Sequence, residues 1–238
     1  MVEVKVEKTE KGFRKRETAV RLFAFEINAT KHLEGDVPKY AVTPLGRKVN
    51  RIFFVGALLD KTETRPESNV WKLRIADPTG AVRVYASRFQ PEALEKVVEL
   101  EPPTLVAVVG KLRVIDVNGT KVPIIRPESI NEVDKSVRDY WLFETVKETR
   151  ERIKKFNEVK ERVTELYGEV DVNEFTKKVQ EVVEILREEY VLEGVKNESE
   201  DEKEIDKAVE EELEEEFEEP KDAFEEFEID MSEILDEQ

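Results

Sequence analysis

The order of five β-strand patterns and one helical pattern in residues 47–130 limits the possible folds more than any other feature of the sequence. The second and third strands alternate apolar and polar residues and are separated by DPTG, so they are predicted to form a hairpin. The fourth and fifth strands are separated by Asn118-Gly119, a dipeptide typical of two-residue hairpin turns. The predicted strands are 47–64, 70–76, 81–87 and two within 104–130.

A helix is predicted between the third and fourth strands, in the segment QPEALEKVVEL (90–100). Pro91 stands near the first helical position, and the apolar residues that follow have helical spacing. Gly56, in the interior of the first strand, indicates a bulge or bend where one strand serves two sides of a barrel. The order β-β-β-α-β-β predicts an all-β OB-fold, a five-stranded Greek-key barrel. Another small antiparallel barrel or an α+β sheet is the alternative.

The segments before the barrel have weaker patterns. Residues 1–16 are polar and basic and are predicted to form a flexible arm. In 17–30, apolar residues recur with helical spacing, which favours a helix, although part of the segment also fits a strand. Residues 32–46 are rich in turn-forming residues and are predicted to form a loop. We therefore place the OB-fold domain, with an N-terminal extension, at 17–133.

A helical region is predicted to follow the barrel, at 134–195. Asp134 is a good N-cap, and apolar residues then recur in 4-3-4-3 steps, as they do along helix-packing seams. A second helix is predicted at about 173–192, after a break at Gly168 and Asp171. The seam indicates either an oligomerisation surface or packing on the chain's own barrel. The predicted subunit-interface residues are Val137, Tyr140, Trp141, Leu142, Phe143, Val146, Ile153 and Phe156.

The negative charge of the chain is concentrated in its last segment. The formal net charge is -17, but 196–238 holds 22 acidic and 4 basic residues, which leaves 34 acidic and 35 basic residues in 1–195. A block of like charges repels itself and buries too little apolar surface to fold. We therefore predict a disordered acidic tail at 196–238, after a body that is nearly neutral.

One face of the predicted second and third strands collects positive charge. If the apolar residues of this hairpin point into the barrel, the residues between them point outward, and the same alternation adds two cations from the fourth strand. Single-stranded nucleic acid needs cations along its phosphates and a flat ring against its bases. Ordinary solvated charge on a sheet would explain the same residues without a ligand. The predicted contacts with single-stranded DNA are Lys72, Arg74, Arg83, Tyr85, Arg88, Lys111 and Arg113.

The residue types present exclude several kinds of chemistry. The sequence contains no cysteine, so it offers no disulfide, thiolate metal site or cysteine nucleophile, and it contains one histidine, His32. It has no phosphate-binding glycine loop, no catalytic serine motif and no metal-ligand spacing. We therefore expect a protein that is not an enzyme and that uses neither a cofactor nor a metal. Without a long apolar run, we expect no membrane contact and a cytoplasmic location.

Four blocks of the sequence resemble the archaeal replication protein A-associated family. They occur in the same order as in that family, between residues 40 and 149, and the resemblance covers about residues 17–157. The blocks are YAVTPLGRKVNRIFFVGALLDKTE, VWKLRIADPTGAVRVYASRFQPEA, ELEPPTLVAVVGKL and RPESINEVDKSVRDYWLFETVKET. The resemblance implies the middle subunit of a heterotrimeric single-strand-binding complex, associated with the nucleoid of an archaeal cell.

The resemblance also implies specific partners and contacts. It implies one OB domain followed by a helix that joins one helix from each of the large and small subunits. It implies two aromatic residues on the ligand face, one of them Tyr85, whereas Ile115 stands at the second position and weakens the expected affinity. The implied activity is binding of single-stranded DNA in replication, repair and recombination.

The acidic tail carries a further prediction. Its aromatic and aliphatic residues are spaced among acids, a composition that docks into basic, apolar grooves of partner proteins. A tail that only increases solubility is the alternative. An adaptor that recruits enzymes without contacting DNA is the alternative function, and RNA binding by the same face stays open. The predicted recruitment residues, for replication or repair enzymes, are Phe217, Phe224, Phe227 and Ile229.

Overall fold

The computed structural model describes residues 17–36 and 39–194. The predicted basic arm (1–16) and the acidic tail, with all four recruitment residues, lie outside the described residues. One compact unit ends at Leu186, and of the unit that begins at Arg187 only the last residues of α5 are described. The elements are β1 (Val20–Arg21), α1 (Ala24–Ala29), β2 (His32–Glu34), β3 (Tyr40–Val42), β4 (Lys48–Val49), β5 (Arg51–Glu63), β6 (Trp71–Asp77), β7 (Gly80–Ala86), α2 (Pro91–Glu99), β8 (Thr104–Val117), β9 (Thr120–Glu132), α3 (Lys135–Lys154), α4 (Phe156–Tyr167) and α5 (Val172–Gly194).

Five of the strands close into a barrel. β5 pairs antiparallel with β6 on one side and with β8 on the other. β6 pairs antiparallel with β7, β7 pairs parallel with β9, and β9 pairs antiparallel with β8. The ring order is therefore β5-β6-β7-β9-β8, with α2 in the connection between β7 and β8. This topology confirms the predicted OB-fold followed by helices.

β5 bends at the point where it changes from one neighbouring strand to the other. Ala57 is paired with β6 through Ala76 and also with β8. A Cβ atom on Gly56 would collide with the carbonyl oxygen of Ala76, so only glycine allows the strands to approach this closely. The shift in register lies between Leu58 and Asp60. Gly56 therefore permits the close approach of the two strands, and the bulge lies a few residues later in β5.

The N-terminal segment contains both kinds of structure that its sequence allowed. The helix prediction for 17–30 is wrong for the first half, because β1 runs there parallel to β5 and α1 is only six residues long. The N-cap residue of α1, Phe23, makes no side-chain hydrogen bond to the helix, and the turn between β6 and β7 caps the helix instead. Asp77 Oδ2 accepts a hydrogen bond from the amide of Ala24 at 2.7 Å. Thr79 Oγ1 accepts one from the amide of Phe25 at 3.0 Å.

The segment 32–46 was predicted as a loop, and this prediction is wrong. It contains β2 and β3, which form a three-stranded antiparallel sheet with β4. Arg162 of α4 donates to both carboxylate oxygens of Glu34, at 3.0 and 2.5 Å. The hydroxyl of Tyr167 donates to the carbonyl of Val42 at 2.5 Å. The sheet is thus held by a helix distant in sequence, which local turn signals do not reveal.

The predicted helical seam is divided between two helices. Asp134 caps α3 by accepting from the amide of Val137 at 3.0 Å, as its residue type predicted. The seam is interrupted at Lys155, where α3 ends and α4 begins. Gly168 ends α4 with a φ of 74°, and α5 follows close to its predicted range.

α3 packs on the chain's own barrel, which corrects half of the predicted subunit interface. Trp141 is 1% exposed, and its Nε1 donates to the carbonyl of Phe53 at 2.9 Å. The rings of Phe23 and Phe54 meet the indole edge-on. A side chain enclosed in this way does not reach a partner subunit in this conformation. The predicted interface residues buried within the chain are Trp141, Leu142, Val146 and Phe156.

The remaining predicted interface residues differ in their exposure. Ile153 is partly buried against a second apolar cluster formed by α4, α5 and the turn before β4. Tyr140 is 63% exposed and Val137 is exposed beside it on α3. Phe143 is half-buried, with the Lys147 ammonium 5.2 Å from its ring centroid. Val137, Tyr140 and Phe143 are therefore the part of the predicted interface that stays accessible.

Candidate nucleic-acid interface

The register of the β6–β7 hairpin brings four predicted contact residues onto one face. Lys72 is the Cα partner of Tyr85, and Arg74 is the Cα partner of Arg83. Because side chains alternate between the two faces of a strand, these four lie on the side opposite the barrel interior. The alternation in the sequence predicted this placement. The residues between them are buried in the barrel: Leu73, Ile75, Val82 and Val84.

The two arginines of this face, Arg74 and Arg83, differ in whether an acidic residue neutralises their charge. Like charges directly opposite each other on neighbouring strands are destabilising. Arg74 Nε donates to Asp60 Oδ2 on β5 at 2.6 Å, which offsets its charge. Arg83 is exposed and makes no hydrogen bond or ion pair with any residue that the structure describes. Arg83 is therefore the stronger candidate for a phosphate contact.

β9 lies between β7 and β8 and contributes a cation that the sequence analysis missed. Arg126 is exposed and is the Cα partner of Lys111. Val84 is paired with Ile125 in the parallel β7–β9 ladder, and both are fully buried. The next residues along these strands, Tyr85 and Arg126, are therefore neighbours on the outer face. The alternating pattern of β9 could have identified Arg126, but its place beside Tyr85 depends on the strand order.

We use the name basic stripe for four neighbouring residues of the outer face: Lys72, Tyr85, Arg126 and Lys111. They lie on four successive strands of the barrel, β6, β7, β9 and β8, so the stripe is about 15 Å long at the usual strand spacing. Within the described part of the chain, none of its three cations makes a hydrogen bond or an ion pair. Cations that form no ion pair, placed on both sides of an aromatic ring, suit a nucleic-acid strand, whose phosphates and bases alternate.

Arg113, a predicted DNA contact, is held by two hydrogen bonds within the chain. Its Nη1 donates to Asn50 Oδ1 at 2.9 Å and to the carbonyl of Leu112 at 2.8 Å. Burial lowers the pKa of Arg113, and the nearby charge of Arg126 acts in the same direction. The half-buried guanidinium holds the residue that precedes β5, so Arg113 has a structural role, and its contact with phosphate stays a prediction.

A carboxylate near the β8 end of the stripe reduces the positive potential there. Tyr40 and Asn50 donate hydrogen bonds to Glu17 at 2.6 and 2.8 Å. These bonds lower the pKa of Glu17, and attraction by Lys111 and Arg113 lowers it further. Glu17 is therefore ionised at neutral pH and offsets part of the positive charge at this end.

Trp71 is the aromatic residue at the start of β6. It continues the inward series of β6 at the barrel end, where it is half-buried. The ammonium of Lys61 lies 5.4 Å from its ring centroid. Lys61 is itself held by the carbonyls of Val97 and Val98 at the end of α2, at 3.1 and 2.7 Å. These contacts fix the indole at the end of the barrel rather than on the stripe.

The aromatic residues accessible near the stripe are Tyr85 and Phe89. Tyr85 is half-buried between its cationic neighbours. Phe89 is 77% exposed, and the guanidinium carbon of Arg88 lies 5.2 Å from its ring centroid. Ile115, at the position where the family resemblance implies a second aromatic, is partly buried. Strand alternation does not identify Phe89, because this residue lies beyond the end of β7.

Metal-binding clusters and membrane-spanning helices are both absent from the described residues. They contain no group of three or more histidine, cysteine, aspartate or glutamate side chains arranged to hold a metal ion. None of their helices is both long enough and apolar enough to cross a membrane.

The strand order and the outer face define an OB-fold barrel whose exposed sheet carries a basic stripe. No protein-family model matches the sequence, and no curated protein matches it. One similar solved structure is the S. pombe Stn1–Ten1 complex, with 13% identity and a TM-score of 0.49 over 60% of this chain and 98% of that chain. Another is a replication protein A heterotrimer bound to single-stranded DNA, with 15% identity and a TM-score of 0.44 over 57% of this chain and 98% of that one. An OBody bound to hen egg-white lysozyme is also similar, with 22% identity and a TM-score of 0.31 over 36% of this chain and 94% of that one.

Proposed function

We propose that this protein is a non-catalytic subunit of an archaeal complex of the replication protein A type and that it binds single-stranded DNA. The observation that carries the proposal is the basic stripe. Its three cations make no hydrogen bond or ion pair with any described residue, and they flank an aromatic ring on the sheet that OB-folds use for oligonucleotides. A solvated sheet gains nothing from aligning cations on adjacent strands, because they repel one another.

The mechanism is electrostatic attraction combined with base stacking. Phosphates lie against Lys72, Arg126 and Lys111, and each contact releases condensed counter-ions from the DNA. A base stacks on Tyr85, and such a contact is worth roughly 1–3 kcal/mol. Because Tyr85 is the one aromatic within the stripe, affinity of the isolated chain is modest. Neither contact requires a particular base, so binding has little sequence preference.

The complex would assemble through the accessible face of α3. Val137, Tyr140 and Phe143 present apolar surface there, and a partner helix packed on them would cover it. The acidic tail, which lies outside the described residues, would recruit replication or repair enzymes. An adaptor that assembles in this way without touching DNA is the competing function. The DNA-binding measurement described next separates the two functions.

Charge reversal within the stripe tests the DNA contact. In the full chain, Lys72→Glu combined with Arg126→Glu removes two proposed phosphate contacts. We expect the Kd for an oligothymidylate, measured by fluorescence anisotropy, to rise about 10-fold or more at low salt. The slope of log K against log salt should decrease by about 1.4, because each contact to a single strand contributes about 0.7.

The matched control carries the same change in net charge at another place. Lys160→Glu combined with Lys177→Glu alters exposed lysines of α4 and α5. This variant should keep nearly wild-type affinity and the wild-type salt slope. An equal loss in both double variants would mean that only net charge matters, and no binding by the wild-type chain at low salt would favour the adaptor.

A further inference from the structure

Phe89 is the most exposed large apolar side chain among the residues that the structure describes. It is 77% exposed, more than Tyr140 at 63%. Burial of an exposed ring would contribute about 25 cal/mol of free energy for each Å² of apolar area removed from water. Nothing in the barrel or in α2 covers this ring in the described structure. The exposure therefore suits a ligand that brings its own flat apolar surface.

The backbone that carries Phe89 is held by a network of short hydrogen bonds. The amide of Gln90 donates to the carbonyl of Ser87 at 2.8 Å, and the amide of Leu94 donates to the carbonyl of Gln90 at 2.8 Å. The amide and hydroxyl of Ser87 donate to Gln90 Oε1 at 3.2 and 3.0 Å. The ring thus stands on a turn anchored to α2, and a ligand that stacks on it orders little additional chain.

Arg88 occupies one side of the ring and leaves the other open. Its guanidinium carbon is 5.2 Å from the Phe89 centroid, within the range of a cation–π contact. The arginine is exposed, so its remaining donors can reach a phosphate oxygen. Arg88 and Phe89 thus place a cation beside an open aromatic ring, which is the same combination of groups as in the basic stripe.

The turn lies close to Tyr85. Phe89 follows Tyr85 by four residues, so the two backbones are separated by at most about 13 Å. We propose that Phe89 and Arg88 form a second nucleotide subsite. A base beyond the one on Tyr85 stacks on the open face of Phe89, and its phosphate contacts Arg88. This inference rests on the proposed function, because the DNA must first lie on the stripe.

Phe89→Ala in the full chain tests the subsite by its dependence on DNA length. For an oligothymidylate of about 16 nucleotides, we expect the Kd to rise about 5-fold or more, the loss of one stacked base. For one of about 4 nucleotides, seated on the stripe alone, the Kd should stay near the wild-type value. Phe89→Tyr keeps the ring and should restore long-oligomer affinity. The melting temperature should not change, because the ring is largely exposed.

The controls separate failure of the subsite from failure of DNA binding. Tyr140→Ala removes an exposed aromatic of α3 and should leave the Kd at both lengths unchanged. If Tyr85→Ala weakens binding while Phe89→Ala matches the wild type at every length, the subsite is overturned and the DNA-binding function stands. If the wild-type chain binds neither oligomer, both fail together.

Discussion

At the scale of single residues, the outer face of the barrel combines groups that a purely structural sheet would avoid. Arg74 stands opposite Arg83, and Arg126 stands opposite Lys111. Opposed like charges cost stability on a sheet, and among these four residues only Arg74 forms an ion pair in the described structure. Departures of this kind from local consistency are typical of functional sites. The same residues therefore carry a cost in folding and the proposed gain in binding.

Asp77 is a residue whose ionisation is coupled to folding. Burial raises the pKa of Asp77 to about 6, although hydrogen bonds from Thr79, Ala24 and Gly80 act in the opposite direction. An unfolded aspartate has a pKa of about 3.9, so the folded protein holds this proton over a range in which the unfolded chain has lost it. The contribution of Asp77 to stability is therefore fully present below about pH 4 and is lost as the pH rises through about 6.

Asp77→Asn should remove this dependence on pH. We expect the difference in unfolding free energy between the wild type and the variant, from urea titrations, to shrink steadily between about pH 4 and pH 7. The variant should also be less stable at each pH, because an amide replaces one of the oxygens that cap α1 and bind the turn. A difference that stays constant across this range would mean that the carboxyl is ionised throughout.

At the scale of elements, α3 decides how much of the chain is available to partners. Its buried side packs on β5 and on the chain before α1 through Trp141, and its exposed side carries Tyr140. One helix therefore serves the fold with one face and leaves another face open. The structure shows the packing of α3 on the barrel, and oligomerisation through its open face stays a prediction.

Substitutions on the two sides of α3 should have opposite effects. Trp141→Phe removes part of a buried ring and leaves the carbonyl of Phe53 without its donor, so we expect a loss of about 2–4 kcal/mol in unfolding free energy. Tyr140→Ala should change stability by no more than about 0.5 kcal/mol, yet weaken assembly with partner subunits, as measured by the mass of the co-purified complex. A stable Trp141 variant that fails only in assembly would place the indole at the subunit interface instead.

Elements defined by local patterns were predictable from the sequence. The DPTG turn, the Asn118-Gly119 turn, α2 with its early proline and the Asp134 cap all depend on residues close to one another in the chain. Alternation also predicted which side chains of β6 and β7 face outward, because burial of one face of a strand determines the other.

Features that depend on distant contacts were not predictable. The cap of α1 comes from Asp77, and the small sheet of β2, β3 and β4 is held through Glu34 by Arg162. The position of Arg126 beside Tyr85 requires the parallel pairing of β7 with β9. The structural role of Arg113 depends on Asn50, which is 63 residues away in sequence. Local propensity contains no information on any of these pairings.

At the scale of the whole molecule, charge is divided between a nearly neutral body and an acidic tail. The net charge of -17 repels a polyanion at long range, whereas the stripe attracts it at short range. The Debye length at physiological ionic strength is about 8 Å, so repulsion by charges beyond that distance is screened more than attraction by a contact. Local placement of cations, and not net charge, therefore determines whether the chain binds DNA.

The most direct test of this claim is photocrosslinking of the full chain to halogenated single-stranded DNA, with the attachment sites located by mass spectrometry. Adducts at Tyr85 are expected, and they should disappear in high salt and with unlabelled competitor strand. Lys72→Glu combined with Arg126→Glu should reduce them, whereas the α4 and α5 control should not. Adducts confined to α3, α4 or α5, with none on the barrel sheet, would contradict a DNA-binding role for the stripe.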